Sequence, residues 1–177
     1  MDPVFRTIVI LCLSALFASA AAHKLQNRAL FQDQLGAYGL VPEPLIGPAA
    51  FMLALLELVL AAALLVPFMA TTALYGAALM LMVYGLVMEL AIWRGRGDID
   101  CGCSGTEGAT SISNGLVLRN LVLSAVAIGA TLPLPERALT WLDIGLCVLV
   151  AGTVVAFYQA ANQLMANRPH LKMWRTA

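Results

Sequence analysis

Apolar residues in this chain run in long blocks, not on alternate positions or on one helical face. A bilayer span needs about 20 mostly apolar residues. Five blocks reach or approach that length: residues 4–22, 49–66, 68–93, 116–132 and 141–161. Each carries few charges: Arg6 near the start of the first, Glu57 halfway along the second, Glu89 late in the third, Arg119 inside the fourth and Asp143 early in the fifth. The second and third blocks meet at Pro67. Read as one helix, residues 49–93 would be about 67 Å long, over twice the hydrocarbon core of about 30 Å, so two spans joined by a tight turn fit better. The pattern predicts an all-α, polytopic transmembrane helical bundle of about five spans, with residues 1–177 forming a single integral membrane domain.

Composition agrees. Hydrophobic residues make up 61% of the chain and charged residues 11%, against about 45–50% and 25% in soluble domains. Mean hydropathy is +0.86. A water-soluble monomer this short has too much surface to hide that many apolar side chains, and the same content excludes a disordered chain. Ten basic and ten acidic residues cancel, leaving no bulk field that would attract nucleic acid.

The first block has a rival reading. Ala18-Ser19-Ala20-Ala21-Ala22 resembles a signal-peptidase site, and cleavage there would leave four spans. Its leading segment, however, sets Asp2 against Arg6 and carries little positive charge, which favours an uncleaved span. After it, Lys24-Leu25-Gln26-Asn27-Arg28 with Phe31 and Leu35 reads as a short interfacial helix. Val41-Pro42-Glu43-Pro44 stops helix there. Trp93, Trp141 and Tyr158 sit near span ends, either as interfacial anchors or as packing residues.

Charge placement predicts orientation. Lys24, Arg28, Arg94, Arg96, Arg119, Arg168, Lys172 and Arg175 fall on or near one side, and only Arg6 and Arg137 on the other. The positive-inside bias puts the first side, with the C-terminus and the 94–114 connection, in the cytoplasm and the N-terminus outside.

That connection holds the densest chemistry: Asp98-Ile99-Asp100-Cys101-Gly102-Cys103-Ser104-Gly105. A disulfide needs Cα atoms about 4.4–6.8 Å apart, and two cysteines flanking Gly102 reach that range when the backbone bends at the glycine. The small ring would be strained, hence easily reduced, and so short a loop constrains little unfolded-state entropy. Exchange therefore suits the pair better than bracing. Asp98 and Asp100 disfavour thiolate, while Arg94 and Arg96 favour it. A metal site is a second reading, with His23, Asp98 or Asp100 completing the four ligands zinc wants. A purely structural pair is a third.

Polar groups inside the blocks form a second set. Glu57, Glu89 and Arg119 are intramembrane polar residues, which usually face the bundle interior. Glu57 serves either a proton or substrate role or a helix-packing hydrogen bond. Matched depth suggests Glu89 with Arg119 and Arg6 with Asp143 as ion pairs. Cys12 and Cys147, also matched in depth, form a possible second thiol pair, the minimum for passing reducing equivalents across a membrane; the simpler reading is two small hydrophobes. Ser14 and Ala18, and Ala125 and Gly129, have spacing suited to close helix contact. His23 is placed to assist thiol deprotonation or to sit as an interfacial histidine.

The segment Asp98–Gly105 after a third hydrophobic block, the His23-Lys24 helix end and Tyr38-Gly39-Leu40-Val41-Pro42 together resemble the methylamine utilisation protein MauE family and, more broadly, DoxX-like membrane proteins. The resemblance covers most of the chain, and its specific part is the Cys-Gly-Cys signature. It implies an accessory role, with no cofactor of its own, in processing, export or disulfide formation of the methylamine dehydrogenase small (beta) subunit, a periplasmic, disulfide-rich client. A thioredoxin-like MauD protein is the implied companion, the bacterial inner membrane the implied location, and Cys101 and Cys103 the implied redox pair. A noncatalytic scaffold or export partner is the alternative. A transporter is a poorer fit, because so few polar groups line no path. The charge bias conflicts with a periplasmic client: either the topology is inverted, or reductant crosses through Cys12 and Cys147, or the doublet is not the working site.

Overall fold

The computed structural model describes residues 3–95, 114–132 and 140–174, with side chains as far as residue 160. Among them are six helices: α1 (Pro3–Gln26), α2 (Arg28–Ala37), α3 (Glu43–Leu64), α4 (Ala70–Trp93), α5 (Asn114–Gly129) and α6 (Trp141–Trp174). Four are long and apolar enough to cross a bilayer: α1, α3, α4 and the Trp141–Ala160 part of α6. The fourth expected span is the short apolar helix α5. Its 16 residues reach only about 24 Å, less than the hydrocarbon core of about 30 Å.

Local chemistry explains most boundaries. Pro42 and Pro44 do not close the preceding segment; they open α3, with Pro42 as N-cap and proline in the first turn. Proline suits that place because first-turn amides have no intrahelical acceptor. The α3 helix therefore starts six residues before the expected 49. The expected interfacial helix is α2, closed by Gly39 at φ 62°, a left-handed backbone that favours glycine. Gly95, at φ 72°, does the same after α4. The turn around Pro67 is tight, with the Met69 amide donating to the Val66 carbonyl at 3.0 Å. Thr140 caps α6: its amide and hydroxyl donate to Asp143 Oδ2 at 2.9 and 2.8 Å, a capping box.

The main core joins α1, α3, α4 and the end of α5 through Val9, Leu13, Phe17, Ala61, Leu64, Leu74, Ala77, Leu81 and Ala127. Between like-apolar helices in lipid, close backbone approach replaces the hydrophobic drive. The buried row Ala70, Ala73, Leu74, Ala77, Ala78, Leu81, Gly85 and Met88 gives α4 that close-packing face. A Cβ at Gly76 would come within 2.9 Å of Leu60 Cδ2 on α3, and one at Gly85 within 3.6 Å of Asn120 Cβ on α5. Hydroxyls bridge helices too: Ser14 donates to the Ala61 carbonyl and Ser124 to the Ala78 carbonyl, each at 2.9 Å. Of the two expected small-residue pairs, the one containing Ser14 thus lies in a helix contact, whereas a Cβ at Gly129 would meet nothing within 4 Å.

Helix α6 docks on α1 and runs parallel to it, as Cys147 beside Val4 and Tyr158 beside Ser19 require. Its outer side, including Leu142, Leu149 and Phe157, is exposed, as is the α3 face of Phe51, Met52, Leu55 and Val59. Faces this apolar are stable against lipid and not against water. Trp93 and Trp141 stand 87% and 90% exposed at opposite ends of the bundle, the arrangement of interfacial anchors.

Replacing Gly76 by valine is expected to force the Leu60 side chain on α3 into another rotamer and cost about 1 kcal/mol. Gly152→Val, with no atom within 4 Å of the new Cβ, is expected to be neutral. Thermal unfolding of both variants in the same detergent checks this.

Candidate functional site

Glu57 lies about two-thirds of the way along α3, on the face packed toward α1 and α4, with 0% exposure. Its carboxylate Oε1 receives two donors. One is the Lys24 ammonium from the last turn of α1, forming an ion pair. The other is the Tyr84 hydroxyl of α4, at 2.6 Å. Lys24 Nζ also donates to the Tyr84 hydroxyl at 3.3 Å. The same ammonium stands 5.1 Å from the ring centroids of both Phe31, on α2, and Tyr84. Four helices thus meet at one charge, held between a carboxylate and two aromatic faces. Glu57 Oε2 is buried with no hydrogen-bond partner.

The physical cause is the cost of charge in lipid. A lone carboxylate at this depth would be expensive, and a buried ion repays its desolvation only with a close partner and further hydrogen bonds. Lysine suits this place because its stem is long and apolar. The α1 backbone can therefore end near the boundary while the ammonium reaches inward. Glu57 is thus the packing and ion-pair residue of the core. Its partner Lys24, which sequence reading counted only as a boundary charge, and Tyr84, which it missed, complete the site. A usable signal was present: a mid-span carboxylate calls for a basic partner, and Lys24 ends the preceding apolar helix.

The other expected pairings are not formed. Glu89 is exposed on α4, and Arg119 lies with its guanidinium 5.6 Å from the Tyr158 ring on α6. Among the described residues the ion pair is Lys24–Glu57. Depth matched Glu89 to Arg119, but the face of α4 that receives α5 is the Gly85–Met88 side. Tyr158 is accordingly a packing residue. Arg6 donates to Thr71 Oγ1 on α4 at 2.6 Å, while Asp143 serves the α6 cap.

Cys12 and Cys147 form no disulfide and do not meet. Cys147 is fully buried and donates to the Val4 carbonyl at 3.7 Å. Cys12 faces a small cleft with Leu123, Val154 and Tyr158. Because α1 and α6 are parallel, the step of eight positions from Val4 to Cys12 separates the thiols by about 12 Å along the axis. The expected second thiol pair is therefore absent.

His23 Nδ1 lies 3.1 Å from Asn27 Nδ2 at the α1 end. Among the described residues no group of three His, Cys, Asp or Glu side chains is placed to hold a metal. Asp98, Asp100, Cys101, Gly102 and Cys103 lie outside the described residues.

Beside the ion pair, a cleft of about 190 Å³ opens at the α1–α2–α3 junction, lined by Lys24, Arg28, Phe31, Gln32, Phe51 and Ala54 among others. Arg28 lies with its guanidinium 5.9 Å from the Phe51 ring.

Spans, lipid-facing surfaces and an ion pair sealed between helices define an all-α, multi-pass membrane protein. The chain belongs to the MauE family: the family model described as Methylamine utilisation protein MauE matches residues 2–133. It is 34% identical over 164 residues to the Methylamine utilization protein MauE of Paracoccus versutus, covering 92% of this chain and 88% of that one. The Paracoccus denitrificans protein of the same name is 32% identical, covering 93% and 89%, and that of Methylorubrum extorquens 34%, covering 92% and 88%. No solved structure matches.

Lys24→Met or Glu57→Leu alone is expected to cost about 3–5 kcal/mol by leaving one buried charge unpaired. The double variant is expected to recover most of that loss. A double-mutant cycle on thermal unfolding in detergent measures the coupling.

Proposed function

We propose that this chain is an inner-membrane accessory protein of methylamine utilisation that assists maturation of the methylamine dehydrogenase small subunit, exchanging disulfides through Cys101 and Cys103 with a thioredoxin-like MauD protein. The observation that carries the reading is the family match over residues 2–133, which includes both cysteines and the glycine between them. The chemistry is a balanced exchange. A thiolate of one protein attacks the disulfide of the other, the mixed disulfide is resolved by the second cysteine, and two electrons and two protons pass between the partners. A glycine-hinged pair is suited to this because its small ring favours opening.

The separation of Cys12 from Cys147 bears on how the exchange is wired. A relay across the bilayer within one chain would need a second thiol pair, and those two do not form one. The pair at 101 and 103 therefore exchanges with partners on its own side. The charge bias puts that side in the cytoplasm, and a periplasmic client puts it outside. Labelling intact cells with a membrane-impermeant thiol reagent, after a membrane-impermeant reductant has opened any disulfide on the outer side, separates these. Labelled cysteines place the pair where it meets the client directly. Protected cysteines exclude direct exchange and leave the scaffold or export role, which the buried Lys24–Glu57–Tyr84 core supports as a rigid frame.

Cys101→Ser and Cys103→Ser are each expected to block exchange, one of them trapping a mixed disulfide with the partner on nonreducing gels. Unchanged maturation of the dehydrogenase small subunit in both variants would remove the redox reading.

A further inference from the structure

We propose that the cleft at the junction of α1, α2 and α3 is a binding site for the phosphate of an anionic phospholipid headgroup. This goes beyond the exchange reading and does not depend on it.

The cleft is built for an anion at a water–lipid boundary. Lys24, only 4% exposed, forms part of its wall. An ammonium has three N–H donors, and Lys24 directs two at Glu57 and Tyr84. Arg28 borders the same cleft, its Nε donating to the Leu25 carbonyl at 3.2 Å and its Cζ 5.9 Å from the Phe51 ring centroid. That arrangement fixes the guanidinium fork, the geometry suited to phosphate oxygens. Gln32 adds an amide donor.

Charge sets the ligand. Among the described residues no carboxylate lines the cleft. Glu57 cancels the Lys24 charge behind it, so Arg28 leaves a net charge of about +1, matched to one phosphodiester.

Size and surroundings set the source. About 190 Å³ is below the roughly 300–1,000 Å³ of sites that engulf a drug-sized ligand. A headgroup fragment fits, with the rest of the molecule outside. Outside lies the α3 surface of Phe51, Met52 and Leu55, 40% or more exposed and wholly apolar, where acyl chains can lie. A free phosphate would leave that continuity unused; a lipid uses both parts.

The test titrates the purified full chain in nonionic detergent with phosphatidylglycerol and, separately, phosphatidylcholine, counting bound lipid by native mass spectrometry. Phosphatidylglycerol is expected to be retained in preference. Arg28→Gln is expected to lower its apparent affinity about fivefold, the effect of one basic residue at a membrane surface, and to leave phosphatidylcholine unchanged. Arg94→Gln removes an equal charge outside the cleft and is expected to keep the preference. Should Arg28→Gln lose its helical circular dichroism, Arg28→Lys, which keeps the charge, is used instead; it is expected to keep a preference for phosphatidylglycerol over phosphatidylcholine that is weaker than wild type, because the ammonium lacks the guanidinium fork. Equal retention of the two lipids by wild type, or equal losses in Arg28→Gln and Arg94→Gln, would overturn the proposal. Displacement of phosphatidylglycerol by millimolar inorganic phosphate would assign the cleft to free anions and overturn the lipid source.

Discussion

Four helices of this bundle meet around one carboxylate held away from water. Glu57 sits where a lone ion would be costly, so the helices that touch it are positioned by that need. Lys24 reaches it from the end of α1, and Tyr84 from α4. Phe31 brings α2 down as a lid over the ammonium. Removing the pair altogether would cost less than removing half of it, because an unpaired buried ion is worse than an apolar substitute.

The rest of the packing works by proximity. Helices in lipid gain little from burying apolar surface against one another, so contact quality decides association. Alanine and glycine along α4 let α3 and α5 come close, and serine hydroxyls close the remaining gaps onto carbonyls. Helix α6 is held differently. It touches α1 and receives the Arg119 guanidinium at Tyr158, but most of its surface faces outward. It is the least enclosed of the span-length helices.

These two devices bear differently on function. The ion pair and the small-residue seams make a stiff frame of α1, α3, α4 and α5. The connection carrying Cys101 and Cys103 leaves this frame at the end of α4 and returns at α5, two helices packed along each other. A frame of that kind makes few demands on polar groups within the membrane.

The chain's apolar blocks determined the class of protein, the existence of each long helix, the α2 segment and the turn at Pro67, because bilayer thickness converts hydrophobic length directly into span. The Cys-Gly-Cys signature determined the family resemblance. Partner choice inside the bundle was a different matter. Depth along a helix can be counted from sequence, but the face a residue presents depends on which helices are neighbours. Matching depth alone therefore paired Glu89 with Arg119, Arg6 with Asp143 and Cys12 with Cys147, and none of these meets in the folded chain. Only the tertiary arrangement decided that Glu57 finds Lys24 and Tyr84, since that contact required a long side chain to turn back into the membrane between three helices at once.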